Sequence, residues 1–324
     1  MADDQPVQPG SLDSTQCRNC GATLQGGFCA QCGQRRLRES DRRLGHLLGQ
    51  FFGAMTDLDS RFWRSIRALL FRPGVLSRDY IAGRRTHWLP PITLFVIANV
   101  LYFLAPALTD FTLPFYNQVP GDIAMESFDD PERISPRARE TIENFRGQVH
   151  SPITADWVRA RVERRNADRL ERSGGRVGYT MVDYARDYDA RSGAISKLLI
   201  ILHVPFLALA LAAMYRSRRL YFAEHFVVAL HLFTFLVLFI ELTIGPASLV
   251  ANALGGSWYV AMFHAWRPIM LIVVLGYTTL AIRRVYATPW WRALLAAMAF
   301  LLVLGVTNYL VYRTVQFMVV YAFS

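Results

Sequence analysis

Residues 290–312 read WWRALLAAMAFLLVLGVTNYLVY, from Trp290 to Tyr312, and carry one charge, Arg292, near the start. A helix crossing roughly 30 Å of hydrocarbon needs about 20 mainly apolar residues. The stretch meets that length, and its opening Trp-Trp pair is the residue type that settles at the membrane–water interface. It is read as a membrane span. Four further stretches approach the same pattern: Pro91 to Leu108, Ile195 to Tyr215, His225 to Ile244 and Ser257 to Ile282. The last is long enough only with Arg267-Pro268 inside it or near its outer end, and Gly245 to Gly256 reads as a loop or a re-entrant turn. With 53% hydrophobic residues overall, too many for one soluble domain of 324 residues, the fold class is an all-α polytopic membrane protein of about five transmembrane helices.

Charge sets the expected orientation. The chain has a formal net charge of +10, and Lys197 is its one lysine. Residues 1–90 hold 13 arginines against 8 acidic residues, and short basic clusters at Arg216 to Arg219 and at Arg283-Arg284 with Arg292 flank later spans. Residues 109–194 hold 13 arginines against 15 acidic residues. Because basic residues in short flanks stay cytoplasmic, the N-terminal region and both short loops are placed inside. The 109–194 loop and the C-terminus are then outside, an alternation that five spans reproduce. Residues 1–16 are polar, without the basic start and apolar run of a secretory signal, and are read as disordered and uncleaved.

All four cysteines lie between positions 17 and 32, as Cys17-Arg-Asn-Cys20-Gly21 and Cys29-Ala-Gln-Cys32-Gly33. A Cys-x-x-Cys turn presents two thiolates to one metal, and the following glycine tolerates the positive backbone angle that closes the turn. Two such turns predict a structural zinc ribbon over 17–34, binding one Zn2+ through Cys17, Cys20, Cys29 and Cys32. A redox dithiol pair is the alternative, but no thioredoxin-like alternation of strands and helices surrounds the cysteines. Arg35, Arg36, Arg38, Arg42 and Arg43 follow directly. Beside a membrane segment such a run answers anionic headgroups, at about 1 kcal/mol per residue near the surface, so nucleic acid is disfavoured. Lipid headgroups and a protein partner at the ribbon are the expected partners.

Residues 35–90 read as basic amphipathic juxtamembrane helices. Leu44, Leu47, Leu48, Phe51, Phe52 and Met55 form one helical stripe. Leu58, Phe62, Ile66, Leu69 and Leu70 form a second, with Arg61, Arg64 and Arg67 at spacing three beside it. Arg72-Pro73-Gly74 breaks that helix, Val75 to Ile81 gives one or two turns, and Gly83 is placed to cap them. The stripes suit helices lying in the interface, or a helical hairpin packed on the zinc knuckle or on the bundle. Arg61, Arg64, Arg67, Arg84 and Arg85 are candidate headgroup contacts or anchors. From residue 91 to 324 the chain is read as the five-span bundle.

The two Cys-x-x-Cys-Gly turns, Phe71-Arg-Pro-Gly74, Tyr80-Ile-Ala-Gly83-Arg84-Arg85 and Pro90-Pro91 together resemble the bacterial membrane family known as domain of unknown function 3667. Tyr221 to His231 and Arg283-Arg-Val-Tyr286 resemble it too. The resemblance implies an integral protein of the bacterial inner membrane with a cytoplasmic zinc ribbon, and it brings no established activity.

Ionisable groups within spans are costly and are functional suspects. Glu224 and His231 share a helix face, being seven residues apart; His225 is turned away by about 120°. With His203 they could form a proton relay or metal site. The bland alternative is a surface glutamate paired with Arg218 and Arg219 and a histidine satisfied inside the bundle. In the outer loop, Ala155 to Arg172 reads as a charged helix whose ion pairs are solvated. The expected role is a membrane-tethered adaptor or regulatory component. A small-solute or ion transporter using the Glu224/His231 face, and a lipid-modifying membrane enzyme, are the alternatives. An enzyme is the less favoured class.

Overall fold

The computed structural model describes residues 16–36, 60–104, 113–254 and 257–324. The stripe from Leu44 to Met55 lies outside them. Twelve α-helices occur among the described residues: α1 (Ser60–Phe71), α2 (Val75–Ile81), α3 (Pro91–Leu104), α4 (Gly121–Glu126), α5 (Pro136–Glu143), α6 (Ser151–Ser173), α7 (Met181–Leu199), α8 (His203–Met214), α9 (Phe222–Leu254), α10 (Ser257–Tyr286), α11 (Trp290–Val306) and α12 (Arg313–Phe323). No β-strand occurs there. Two isolated antiparallel bridges, Gln16 with Thr23 and Phe28 with Arg35, are the β-structure of the cysteine region. The expected ribbon is therefore reduced to two knuckles, each too short to extend a ladder, with Gly26-Gly27 interrupting the chain between them.

Four helical segments are long and apolar enough to cross a membrane: Met181–Met214, Phe222–Ile244, Pro268–Tyr286 and Trp290–Phe323. The chain is a multi-pass membrane protein. The remaining expected span, Pro91 to Leu108, contains the 14-residue apolar α3, which is shorter than those four, and residues 105–108 of it lie outside the described residues. One boundary differs from the sequence reading. α9 continues through Pro246 to Leu254, so the stretch from Gly245 is helical rather than a loop. Pro268 lies inside α10, one of the two placements the sequence allowed, and the apolar window begins there, after Arg267. Proline is tolerated within membrane helices where neighbouring groups take up the freed carbonyl.

The chain divides into two compact units. The first comprises Met1–Thr109 and Val204–Leu304. Its centre is α9, which packs on α3 and α10, with Phe95 against Phe233 and Tyr277 stacked on Phe235. α2 is packed into this bundle against α1, α9 and α10, burying Leu76, Ser77, Tyr80 and Ile81. Gly74, between α1 and α2, has φ +76, and a Cβ there would lie 2.7 Å from the Ala281 carbonyl oxygen of α10. Tyr277 donates to the Leu69 carbonyl at the end of α1, and Arg284 donates to the Pro73 carbonyl. The Pro73-Gly74 turn is thus seated directly on a membrane helix.

The second unit comprises Asp110–His203 and Gly305–Ser324. Its core holds Phe115, Ile123, Val158, Tyr184, Tyr188 and Phe317, so the long segment between α3 and α8 is a folded unit with its own buried centre. α7 begins at Met181, well before the expected span at Ile195, because Thr180 and Asp183 form a reciprocal capping box that starts one long helix. α6 ends on Gly174 in the left-handed conformation. Its ion pairs run between elements: Arg159 with Asp122, Arg165 with Asp187 and Arg169 with Asp183. All are partly exposed, so each contributes no more than about 1 kcal/mol. His150 is buried beside Thr154 and stacked on Phe317, and burial lowers its pKa to about 4.

Gly74 meets two demands, a positive φ and a backbone contact. Replacement by alanine adds about 1–2 kcal/mol of left-handed strain and about 1–3 kcal/mol of overlap. Gly174, with φ +63 and open space around it, meets only the first. We expect Gly74→Ala to lower the thermal midpoint of the detergent-solubilised protein several degrees more than Gly174→Ala; equal shifts would refute the contact.

Candidate metal centre

The two knuckles are built alike. The Gly21 N–H donates to the Cys17 carbonyl at 2.8 Å and the Gly33 N–H to the Cys29 carbonyl at 2.9 Å. The Cys17 N–H reaches the Ala22 carbonyl at 2.7 Å, and the Cys29 N–H reaches the Gln34 carbonyl at 2.8 Å. Gly21 and Gly33 have φ +78 and +70, and a Cβ added to either would meet nothing within 4 Å, so backbone conformation alone selects glycine. This repeated turn brings the four sulfurs within 4.8 Å of one another. Cys17 and Cys32 are 3.5 Å apart at Sγ, and so are Cys20 and Cys29.

A tetrahedral metal with metal–sulfur bonds of about 2.3 Å would set its thiolates about 3.8 Å apart, close to this spacing. Cys17 and Cys29 are buried while Cys20 is exposed. N–H groups of Cys32 and Gln31 lower the Cys29 thiol to about 6. Cys20 is pushed the other way, to about 12: the Ala22 N–H lowers it, but desolvation and the neighbouring sulfurs outweigh that. Four thiols this close ionise together only when a cation neutralises them. The donor set fits a soft or borderline divalent metal, and the four cysteines can chelate one ion.

The knuckles are tied to the loop after α2. Gln34, buried although polar, donates through Nε2 to the Gly83 carbonyl at 2.6 Å. Its Oε1 accepts from the Arg85 N–H at 3.3 Å and from the Thr86 hydroxyl at 3.0 Å. Asn19 and His87 side chains meet at 3.3 Å. On the last turn of α2, Asp79 accepts from Arg84 and from Trp88 Nε1 of the loop, and Arg85 lies 4.0 Å over the Tyr80 ring. Arg84 and Arg85, singled out in the sequence as headgroup contacts, therefore have partners within the protein. Gln34 escaped the sequence reading, because a glutamine after a knuckle carries no signal of burial.

Residues 59–103 match a family model described as Protein of unknown function (DUF3667). The DUF3667 match covers α1, α2 and nearly all of α3, including the Pro73-Gly74 turn and the Gly83-Arg84-Arg85 loop. It stops short of the cysteines and of the later spans. No curated protein and no solved structure matches the chain.

The intramembrane candidates are not gathered into one cluster. Glu224 is the third residue of α9 and accepts from the Tyr221 N–H at 2.9 Å, which is half of a capping box. His225 bonds the Tyr286 hydroxyl at 2.8 Å and stacks on that ring. His231 Nδ1 meets Ser77 Oγ at 2.9 Å. His203 belongs to the second unit, where its Nδ1–H donates to the Ile200 carbonyl at 2.9 Å, leaving Nε2 to accept from Asn308 at 3.4 Å. Among the described residues, the four cysteines form the one group of three or more metal-ligating side chains.

Gln34→Ala removes three hydrogen bonds that cross from the knuckles to the loop. We expect amide exchange at 83–87 to accelerate at least about tenfold with metal content unchanged. Unchanged exchange would show that the loop holds itself.

Proposed function

We propose that the protein is a membrane-tethered adaptor or regulatory component, in which a four-thiolate zinc site folds a small docking surface held at the bilayer. The observation that carries this reading is the closed set of four sulfurs clamped by Gln34 to the loop before α3. Four cysteine ligands leave no open position for a substrate, which suits a structural metal rather than a catalytic one. Zn2+ is favoured by the tetrahedral spacing and by two Cys-x-x-Cys turns. Phe28, 65% exposed on the second knuckle, gives the surface an apolar contact point for a protein partner.

In this proposal α3 completes five spans in an inner membrane, with the knuckles and residues 35–90 cytoplasmic and the 109–194 segment and the C-terminus periplasmic. The arginine excess of residues 1–90 and of the two short loops supports that orientation. Residues 1–16 precede the metal module, 17–34 form it, 35–90 connect it to the membrane, and 91–324 form the bundle. The hydrogen bonds of Glu224, His225 and His231 to capping and packing groups favour structural roles over transport.

Purified protein should carry about one zinc per chain, and the Cys17→Ser/Cys29→Ser variant none. With a photo-crosslinking residue at position 28, a covalent adduct to a cytoplasmic protein should form in cells, vanish in the double cysteine variant and persist in Glu224→Gln. An adduct sensitive to Glu224 and indifferent to the cysteines would overturn the adaptor reading. Separately, a topology reporter fused after Ser324 should be active only outside the cytoplasm; cytoplasmic activity would sink the five-span arrangement.

A further inference from the structure

α1 buries one face and leaves another open. Ser65, Ala68 and Leu69 are buried, and Ser65 Oγ accepts from the Leu89 N–H at 2.9 Å, which folds the loop after α2 back onto the helix. The open face carries Trp63 and Phe71, 73% and 76% exposed, beside three arginines. Between this face and Trp88 lies a cavity of about 340 Å³ lined by Trp63, Arg64, Arg67, Ala68, Arg72 and Trp88. That volume falls within the roughly 300–1,000 Å³ of small-ligand sites.

Its charge is one-signed. Among the described residues no acidic side chain lines the cavity, and no ion pair or side-chain hydrogen bond falls on Arg64, Arg67 or Arg72. The nearby Asp79 is already engaged by Arg84 and Trp88. Arg64 and Arg67, three residues apart on α1, repel, and Arg72 follows directly past the helix end, so holding all three around a common hollow is unfavourable unless an anion sits there. Neither Arg64 nor Arg67 lies in the last turn of α1, where the helix dipole would favour a cation. Guanidinium forks match phosphate oxygens, and exposed Trp beside Arg is the chemistry of the headgroup layer.

We propose that Arg64, Arg67 and Arg72, walled by Trp63 and Trp88, bind the phosphate of an anionic lipid headgroup. Trp88 is fixed by its bond to Asp79 and closes the pocket from the loop side. Arg84 and Arg85, committed to Asp79 and Tyr80, belong to the scaffold of the site and not to its ligand set. The site is independent of the metal and of the adaptor reading.

The test is native mass spectrometry of the purified full-length protein with added phosphatidylglycerol or phosphatidylcholine. The wild type should retain phosphatidylglycerol preferentially, and Arg64→Gln/Arg67→Gln/Arg72→Gln should lose that preference at least about tenfold, while its zinc content stays unchanged. An equal-charge control, Arg133→Gln/Arg137→Gln/Arg146→Gln in the second unit, should retain it. The single variant Arg67→Gln and the triple lysine variant keep the test open should the triple glutamine variant misfold: each should weaken retention with the fold intact. Millimolar glycerophosphate should fail to displace the lipid from a headgroup site. Displacement would instead assign the pocket to a soluble phosphate compound and overturn the lipid assignment. Retention unchanged in the triple variant, or lost equally in the control, would overturn the site itself.

Discussion

The contact of Gly74 with the backbone of α10 at Ala281 is the constraint from which the arrangement of α1, α2 and the loop before α3 follows. Only a residue without a Cβ lets the turn rest there, and with the turn seated, α2 enters the bundle and buries Leu76, Ser77 and Tyr80. That depth sets Asp79 where it gathers Arg84 and Trp88, and it sets the Gly83 carbonyl where Gln34 reaches it. The cysteine knuckles and the arginine-lined hollow on α1 are thus both referred to one point on one membrane helix. The matched family region, 59–103, spans this turn and its consequences.

The parts legible in the sequence are those governed by local rules. Apolar length marks the spans, and Cys-x-x-Cys-Gly marks the knuckles because ligand chemistry and a positive φ are demanded within five residues. Pro73-Gly74 and Gly83 punctuate α1 and α2 for equally local reasons. Long-range choices were not legible. The same amphipathic stripe serves an interfacial helix and a packed one, and for α1 it is the burial of Ala68 and Leu69, with Tyr277 bonded to the Leu69 carbonyl, that shows one face packed on the bundle. Nothing near Gln34 announces a partner 49 residues away. The stretch from Gly245 read as a loop or a re-entrant turn, yet with Pro246 it continues a helix to Leu254.

The second unit teaches the same lesson from the other side. The alternating charges of α6 suggested a solvated helix with local pairs, but Arg159, Arg165 and Arg169 reach across to other elements, and Val158 is fully buried. α12 contributes Phe317 and Val320 to that core, so residues more than 100 positions apart in the chain must find one another before the unit is complete. Such closure is entropically expensive compared with the knuckles, whose bonds span a few residues.

That difference in separation orders events during synthesis. Cys17 and Cys32 are only 15 residues apart, so the sulfur cage can close on the nascent chain before α3 has been translated. Its attachment must wait until Gly83 and Thr86 emerge. The four-cysteine head is accordingly an early, self-contained product, and its fixation to the loop before α3 is a later docking step.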